Sequence, residues 1–336
     1  MKTNLKKLLI TTVCLLCSIG VSAYDFEVDG LQYNVVSLDA LYCVLAGSNN
    51  GFEGDVVIPE QVNYATRTLT VVGLEDRLFR GCSKMTGITI PSTISSISDY
   101  AFEGCSGLTS VTIPNSMTSI SEGAFKGCSG ITNVVIEDGE TVLNFGSERY
   151  DNWNYYGLFY DCPIKSLYIG RELTYKDGEY YGYSPFAMNE NITDVTIGNY
   201  VTEIGYYAFY GCSGLVSVTI GKSVRDIRNY AFYGCTSLTL LYSLNTTVPY
   251  ISDHNFANKQ YVTTTVFVPQ DALEAYQNAE DSKNFWNLQG FDPTGIKDGI
   301  KDGVSGSDRC YDLRGNRLYA PKRGINIINV EKVIVR

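Results

Sequence analysis

Apolar residues recur in this chain in a short pattern that repeats every 23 residues. In the unit 102–124, Leu108, Val111 and Ile113 are apolar, and the last two alternate with polar side chains. Alternation with a period of two predicts a short β-strand that buries one face. Pro114 ends this strand because it lacks the N–H group that a ladder hydrogen bond requires.

The rest of the unit carries the chain to the next repeat. Met117 and Ile120 predict a second short stretch that faces inward, and Ala124-Phe125 predicts a single helical or 3₁₀ turn that buries its ring. One such coil cannot bury its apolar side chains alone, so neighbouring coils must stack. The pattern therefore predicts a β-rich solenoid of about eight 23-residue coils that join short strands to short helical turns.

Phenylalanine and cysteine residues keep the same step along the chain. Phe residues that lie 23 apart occur in two runs, Phe79, Phe102, Phe125 and Phe186, Phe209, Phe232. Cysteines follow at one repeat position: Cys82, Cys105, Cys128, Cys162, Cys212 and Cys235. This position predicts a buried ladder of free thiols, although coils about 4.8 Å apart also make a disulfide geometrically conceivable.

Two intervals between successive repeat phenylalanines are longer than the others. The interval from Phe125 to Phe159 is 34 residues, and that from Phe159 to Phe186 is 27. Insertions in a solenoid lie in surface loops, where tyrosine and tryptophan supply large, stiff contact area. With Tyr168 on a neighbouring strand, the predicted binding residues are Tyr150, Trp153, Tyr155, Tyr156, Tyr168, Tyr180, Tyr181 and Tyr183.

The outward positions of the predicted strands form a second candidate surface. These positions hold Thr89, Thr112, Val135, Tyr168, Thr196, Thr219 and Tyr242. A solvated sheet of good strand formers is the simpler interpretation for the threonines. The rings of the insertions also have a simple interpretation, since they could pack over an irregular coil instead of binding a partner.

The repeat phrases carry a family resemblance. The segments AFEGCSGLTSVTIP (101–114) and AFYGCSGLVSVTIGKSVRDI (208–227) resemble the BspA-type bacterial leucine-rich repeats, and the resemblance covers residues 71–269. The chain departs from the pattern at Asn189, which replaces the ladder cysteine, and around Cys162. The resemblance implies a secreted or cell-surface protein that acts in adhesion or recognition of host extracellular proteins, with no catalytic residues.

The two ends of the chain frame the repeats. Three lysines, an apolar run and the small residues Val21-Ser22-Ala23 predict a cleavable signal peptide. Val266–Pro269 predicts the last strand and Asp271–Tyr276 a capped helix over the exposed core. The predicted domains are a signal peptide at 1–23, a β cap at 24–70, the solenoid at 71–269, a helical cap at 270–293, a linker at 294–308 and a β tail at 309–336.

The tail resembles the short β segment at the carboxyl end of exported Bacteroidetes proteins, which implies a sorting or attachment element.

The chain has 26 Lys and Arg against 36 Asp and Glu, a net charge of −10 that becomes about −13 without the signal peptide. An acidic surface repels phosphate groups and anionic lipid, so nucleic acid and membrane-surface partners are disfavoured. We expect a monomer with no transmembrane segment.

Catalytic and metal sites have little support in the sequence. His254 is the sole histidine, and its place at a repeat junction favours a role in a turn over that of a general base. The only CxxC, Cys14 to Cys17, lies in the predicted signal peptide, so we expect no metal and no cofactor.

The predicted function is an adhesin-like binding protein for an extracellular protein. The alternatives are a glycan-binding module and a glycoside hydrolase that uses carboxylate pairs near the insertion, Asp138 with Glu140 and Glu148 with Asp151.

Overall fold

The described part of the chain is a solenoid of about nine turns in which strands predominate and helices are few. The predicted fold class is therefore confirmed. The computed structural model describes residues 24–49, 51–146, 158–159, 161–175, 184–252, 254–282 and 284–291, and beyond residue 295 the backbone of five short strands.

The amino-terminal segment is built from strands that pair largely with one another. Its strands are β1 (Phe26–Val28), β2 (Leu31–Ser37), β3 (Tyr42–Ser48), β4 (Gly54–Val57), β5 (Gln61–Tyr64) and β6 (Arg67–Leu74). All but β4 form one sheet in the order β1-β2-β3-β6-β5. The alternation read from the sequence places Tyr33, Leu45 and Leu69 inside, where none retains exposed surface.

From Met85 onward each coil adds a longer and a shorter strand. These strands are β7 (Met85–Thr89), β8 (Ser96–Ile97), β9 (Ser110–Ile113), β10 (Ser119–Ile120), β11 (Asn133–Ile136), β12 (Leu143–Phe145), β13 (Ser166–Ile169), β14 (Leu173–Thr174), β15 (Asp194–Ile197), β16 (Glu203–Ile204), β17 (Ser217–Ile220), β18 (Asp226–Ile227), β19 (Leu240–Ser243), β20 (Tyr250–Ile251), β21 (Thr265–Pro269) and β22 (Asn287–Phe291).

The longer strands form one parallel sheet of eight, in the order β22-β21-β19-β17-β15-β13-β11-β9. Its register repeats from coil to coil, so Val111, Val134 and Leu167 lie side by side and all face the core. The shorter strands form two further parallel sheets, β14-β12-β10-β8 and β16-β18-β20, and β4 pairs with β7. Constant register follows from the constant repeat length, because a slip of one residue would expose the apolar face.

A column of stacked phenylalanine rings fills the core beside the sheets. Neighbouring ring centroids from Phe79 to Phe256 lie 4.8 to 6.1 Å apart, with interplanar angles of 5 to 15°. The repeat cysteines pack beside this column, and Cys105 Sγ donates to the carbonyl oxygen of Phe79 at 2.9 Å. The predicted burial of Phe102, Phe125, Phe209 and Phe232 is confirmed, with at most 1% of each exposed.

The turn around each phenylalanine is a single turn closed by an i→i−3 hydrogen bond, as the predicted single helical or 3₁₀ turn requires. The Cys105 N–H donates to the Phe102 carbonyl at 3.1 Å, and the turn stops there. Tyr100 and Gly104, two residues before and after this phenylalanine, have φ values of +55° and +74°. Left-handed residues on both sides prevent the right-handed backbone of a helix from continuing.

The helices of the described residues follow the last short strand. They are α1 (Asn258–Thr263), a 3₁₀ turn (Gln270–Ala272) and α2 (Leu273–Asn278). Asp271 lies in the 3₁₀ turn, so the helix expected over Asp271–Tyr276 begins at Leu273 and has no side-chain cap. Strand β21 is also not the last strand, since β22 pairs beside it in parallel.

The backbone after residue 295 forms a separate small sheet. Its strands are β23 (Ile296–Lys297), β24 (Cys310–Tyr311), β25 (Arg317–Leu318), β26 (Gly324–Ile328) and β27 (Glu331–Val335). The pairs β24/β25 and β26/β27 are antiparallel, and the order is β23-β27-β26-β24-β25.

Candidate functional site

Most of the predicted binding residues lie outside the described part of the chain. They are Tyr150, Trp153, Tyr155, Tyr156, Tyr180, Tyr181 and Tyr183, and the carboxylates Glu148 and Asp151 lie outside it too. Tyr168 is the predicted binding residue whose surroundings the structure describes.

Tyr168 lies on β13, on the outer side of the eight-stranded sheet, and is half-buried. Its hydroxyl donates to Asp138 Oδ1 of the preceding coil at 2.6 Å. Gly198 leaves room for this pair, because a Cβ there would lie 2.9 Å from the Tyr168 hydroxyl oxygen and 3.1 Å from Asp138 Oδ1. The structure thus joins one predicted binding residue to one carboxylate of the sequence-predicted pairs.

The outer side of the sheet is less solvated than its sequence predicts. Val135 and Thr219, expected to face solvent, are only 4% and 3% exposed. Each is paired with a tyrosine on the next strand, Tyr168 for Val135 and Tyr242 for Thr219. A large ring shields its smaller cross-strand neighbour, and the interpretation of a fully solvated threonine row is wrong at these positions.

The two insertions leave the coil at equivalent positions, after a short strand and before the phenylalanine turn. The first follows β12, where the Gly146 N–H donates to the Ile120 carbonyl at 2.9 Å. Its return is fixed by the carbonyl of the buried Leu158, which accepts from the Phe125 N–H at 3.2 Å. Tyr168 belongs to a longer strand, so it and the insertions occupy different segments of the coil.

The second insertion follows β14 and is tied to the next coil on both sides. The Tyr175 hydroxyl donates to the Tyr206 carbonyl at 3.1 Å. Past the insertion, the Ser184 hydroxyl donates to the Ala208 carbonyl at 2.8 Å. These two carbonyls flank Tyr207, so the insertion begins and ends against the same turn of the neighbouring coil. We call this side of the solenoid the turn edge, represented in successive coils by residues 205–211 and 228–234.

The expanded coils preserve the packing of the core. The Phe125, Phe159, Phe186 and Phe209 rings remain stacked at 5.3, 5.6 and 6.1 Å. Asn189, which replaces the ladder cysteine, donates from Nδ2 to the Cys162 carbonyl at 2.9 Å. The two expanded coils therefore keep the stacked core of the regular coils.

Aromatic residues also line the turn edge beyond the insertions. In two consecutive coils the same two repeat positions hold tyrosine, and we call the four residues Tyr207, Tyr210, Tyr230 and Tyr233 the tyrosine grid. These four tyrosines are not among the binding residues predicted from the sequence. The repeated segment YAFYGC, at 207–212 and 230–235, is the signal that could have revealed them. His254 continues one row of the grid, with its ring stacked on Tyr230 at 5.3 Å.

The repeat cysteines are chemically protected. The seven cysteines whose side chains the structure describes are thiols, and of the six at the ladder position only Cys82 is partly exposed. Burial raises the pKa of the Cys212 thiol to about 12 and raises that of Cys235 well above its ordinary value. Protonated, buried thiols are poor nucleophiles, which argues against a redox or catalytic role for the ladder.

The described residues contain no cluster of metal ligands and no membrane-spanning helix. In that part of the chain no three His, Cys, Asp or Glu side chains come together as metal ligands would. None of the helices described there has the length and apolar character needed to cross a bilayer.

Six copies of one repeat model match the chain, over residues 70–157 and 155–279. That model is the BspA type leucine-rich repeat region. The chain belongs to this family. Repeats of the BspA type and their fold are typical of non-enzymatic binding modules. The resemblance read from the sequence is confirmed.

Several solved structures resemble this BspA-type protein at low identity. A leucine-rich repeat protein from Bacteroides ovatus is 20% identical, with a TM-score of 0.45 over 80% of this chain and 77% of that one. The leucine-rich repeat protein of T. pallidum is 20% identical, with a TM-score of 0.38 over 69% and 91%. A leucine-rich cell surface protein from Faecalibacterium prausnitzii is 16% identical, with a TM-score of 0.29 over 80% and 95%. No curated protein sequence matches the chain.

Proposed function

We propose that this BspA-type protein is exported and acts at the cell surface, or after secretion, as an adhesin-like receptor for an extracellular protein. The observation that carries the proposal is the position of the insertions. Both leave from equivalent points of adjacent coils while the core stays regular, so two segments rich in tyrosine and tryptophan join the solenoid at one edge. Interfaces draw most of their energy from a few such aromatic anchors.

Several features support this proposal over catalysis. Asp138, a carboxylate considered for glycoside hydrolysis, already accepts a hydrogen bond from the Tyr168 hydroxyl at 2.6 Å, which occupies one of its oxygens within the protein. The predicted signal peptide at 1–23 and the acidic net charge fit export and disfavour nucleic acid partners. The protein acts as a monomer, and its β tail serves in sorting or attachment.

The experiment measures binding of the chain from residue 24 onward to a panel of purified extracellular matrix proteins by surface plasmon resonance. The key variant replaces Trp153, Tyr155 and Tyr156 with alanine. We expect it to lose partner binding, with about 2 kcal/mol contributed by each anchor ring. Its thermal transition should stay close to that of the unaltered protein, because the phenylalanines of the expanded coils stack as regularly as those of the other coils.

Two further variants make the result specific. Tyr250→Ala removes an exposed tyrosine from β20, away from the insertions, and should bind as the unaltered protein does. Tyr168→Ala tests the outer side of the sheet and should weaken the same interaction. A triple variant that binds normally, or that unfolds and shows its rings to be core, contradicts the proposal.

A further inference from the structure

The tyrosine grid is an ordered surface of the described chain with its own geometry. Tyr207 and Tyr230 stack at 5.0 Å with planes 6° apart, and Tyr210 and Tyr233 stack at 5.8 Å with planes 13° apart. Across the two rows the rings meet edge to face, at 5.5 Å between Tyr207 and Tyr210 and at 5.8 Å between Tyr230 and Tyr233. The same edge-to-face pair of rings thus recurs from one coil to the next.

The same repeat positions are ionic near the amino end of the solenoid. The row of Tyr207 and Tyr230 begins there with Arg77, whose Cζ lies 6.0 Å from the Tyr100 ring centroid. The row of Tyr210 and Tyr233 begins there with Arg80 and Glu103, which form an ion pair at 2.7 Å. Toward the carboxyl end the first row loses its arginine and the second row loses its ion pair, so that both rows hold neutral rings in the grid.

The grid faces solvent. Tyr233 is 40% exposed, Tyr230 is half-buried, and His254 at the end of the row is exposed. The hydroxyls of Tyr230 and Tyr233 make no hydrogen bond to any residue that the structure describes. Stacking at 5.8 Å is strongly offset, so it covers only part of each ring.

An ion pair borders the grid and supplies a polar rim. Arg228 Nη2 lies 2.5 Å from Glu203 Oε2, and both side chains are about one third exposed. The Arg228 Cζ lies 6.0 Å from the ring centroid of Tyr206, which directly precedes the grid. Planar charged groups next to aromatic rings offer hydrogen bonds to hydroxyl groups of a ligand that lies on the rings.

We propose that the tyrosine grid binds a linear, neutral polysaccharide that lies along the axis of the solenoid. The same tyrosine positions recur in successive coils, so the surface is complementary to a polymer that is itself built of repeating units. A sugar ring is about as long as the distance between neighbouring coils. The two rows carry no ionised group in the grid, so they favour a neutral ligand. The net charge of −10 repels anionic polymers as well.

This surface differs from the insertions in its residues and in its ligand, and the inference does not depend on a protein partner for the insertions. Ring faces offer apolar contact to the C–H faces of sugars, and the phenol groups of Tyr230 and Tyr233 can donate to or accept from sugar hydroxyls. A protein that used the grid as its contact would be a different function and counts against the inference.

The test uses affinity electrophoresis of the chain from residue 24 onward in gels that contain mixed-linkage β-glucan, glucomannan or xylan. The key variant is Tyr230→Asn/Tyr233→Ser, in which asparagine tolerates the φ of +62° at position 230. We expect at least one polymer to retard the unaltered protein. The variant should bind that polymer with about tenfold lower affinity.

The matched control is Tyr100→Asn/Glu103→Ser, which makes the same change at the same repeat positions in the ionic coils. It should bind like the unaltered protein, and thermal unfolding should show both double variants folded. Tyr230→Phe/Tyr233→Phe keeps the rings and should lose only part of the affinity. A carboxymethylated β-glucan should bind more weakly than its neutral parent. Absence of retardation by every neutral polymer, or equal loss in the control, overturns the inference, as does loss of a protein partner alone in the key variant.

Discussion

The Arg171 guanidinium donates from Nη1 to the Met117 carbonyl oxygen, 54 residues earlier, at 2.7 Å. The same nitrogen donates to the Asn115 carbonyl at 2.9 Å, and Nη2 donates to the Pro114 carbonyl at 2.8 Å. Arg171 has no exposed surface, and burial lowers its pKa from the ordinary value. This side chain reaches across the first expanded coil and ties the second expanded coil to the regular coil that carries β9 and β10.

Arg171→Met should lower the free energy of unfolding by about 3 kcal/mol, because three backbone carbonyls, one of them fully buried, lose a charged donor. Urea unfolding followed by circular dichroism measures the change. Arg80→Met is the matched control, since Arg80 is largely exposed and its ion pair with Glu103 should contribute less than about 1 kcal/mol. Equal effects in the two variants would show that the buried contacts of Arg171 contribute little.

Gly130→Ala should be strongly destabilising, by on the order of 3 kcal/mol, because the new Cβ would lie 2.5 Å from the Ser106 carbonyl oxygen and 2.7 Å from that of Leu108. The coils stack backbone on backbone here, and neither carbonyl can rotate away. Gly81→Ala serves as the comparison, since it meets nothing within 4 Å and only its φ of +74° opposes a side chain, at about 1 kcal/mol. Thermal melts of both variants check the order.

Stability should fall at alkaline pH because the buried thiols resist ionisation. The pKa of Cys212 is raised by burial from 9.0 to about 12, so the unfolded chain releases this proton first as the pH rises. The stabilising contribution is complete below pH 9 and is lost between pH 9 and 12, at about 1.4 kcal/mol per pH unit for each such thiol. Urea midpoints measured from pH 8 to 11 should show this slope, and Cys212→Ala should make it shallower. An unchanged slope in that variant contradicts the assignment.

Thiol labelling should proceed in a fixed order. In a Cys310→Ser background of the chain from residue 24, Cys82 should react first with a thiol reagent, because it is the one partly exposed cysteine of the seven described. The ladder thiols from Cys105 to Cys235 should react only at the rate of unfolding. Peptide mapping after timed labelling identifies the sites. Rapid reaction of several buried thiols in native protein would show a looser core.

The repeat core could be predicted from the sequence in some detail. The burial of Phe102 and Cys105 can be predicted because each belongs to a set of residues at a constant spacing, and neighbouring coils must bury equivalent positions. The alternation around Val111 and Ile113 likewise predicts the strand and its buried face. For the candidate site, the sequence predicted only that two long intervals between repeat phenylalanines are rich in tyrosine and tryptophan. It did not predict how those rings are arranged.

Other features could not be read from local pattern. Nothing in the spacing of Arg171 marks it as buried, since its partners lie more than fifty residues away and meet it only when the coils stack. Val135 and Thr219 were expected to face solvent because alternation reports the two sides of a strand and not what the next strand places beside them. The pattern predicts the short turns but not the left-handed backbone on either side of them, at Tyr100 and Gly104.

The amino-acid sequence by itself determined the solenoid, its coil length, its inward phenylalanines and cysteines, and the place of the insertions. Every coil makes the same contacts with its nearest neighbours, so these properties can be recognised from the repeated residues and from the intervals that are longer than the repeat. Only the tertiary structure decided that the insertions and the tyrosine grid occur on one edge, while Tyr168 belongs to the sheet. That arrangement depends on how the chain turns within each coil, where left-handed residues such as Tyr207 and Tyr230 direct the backbone.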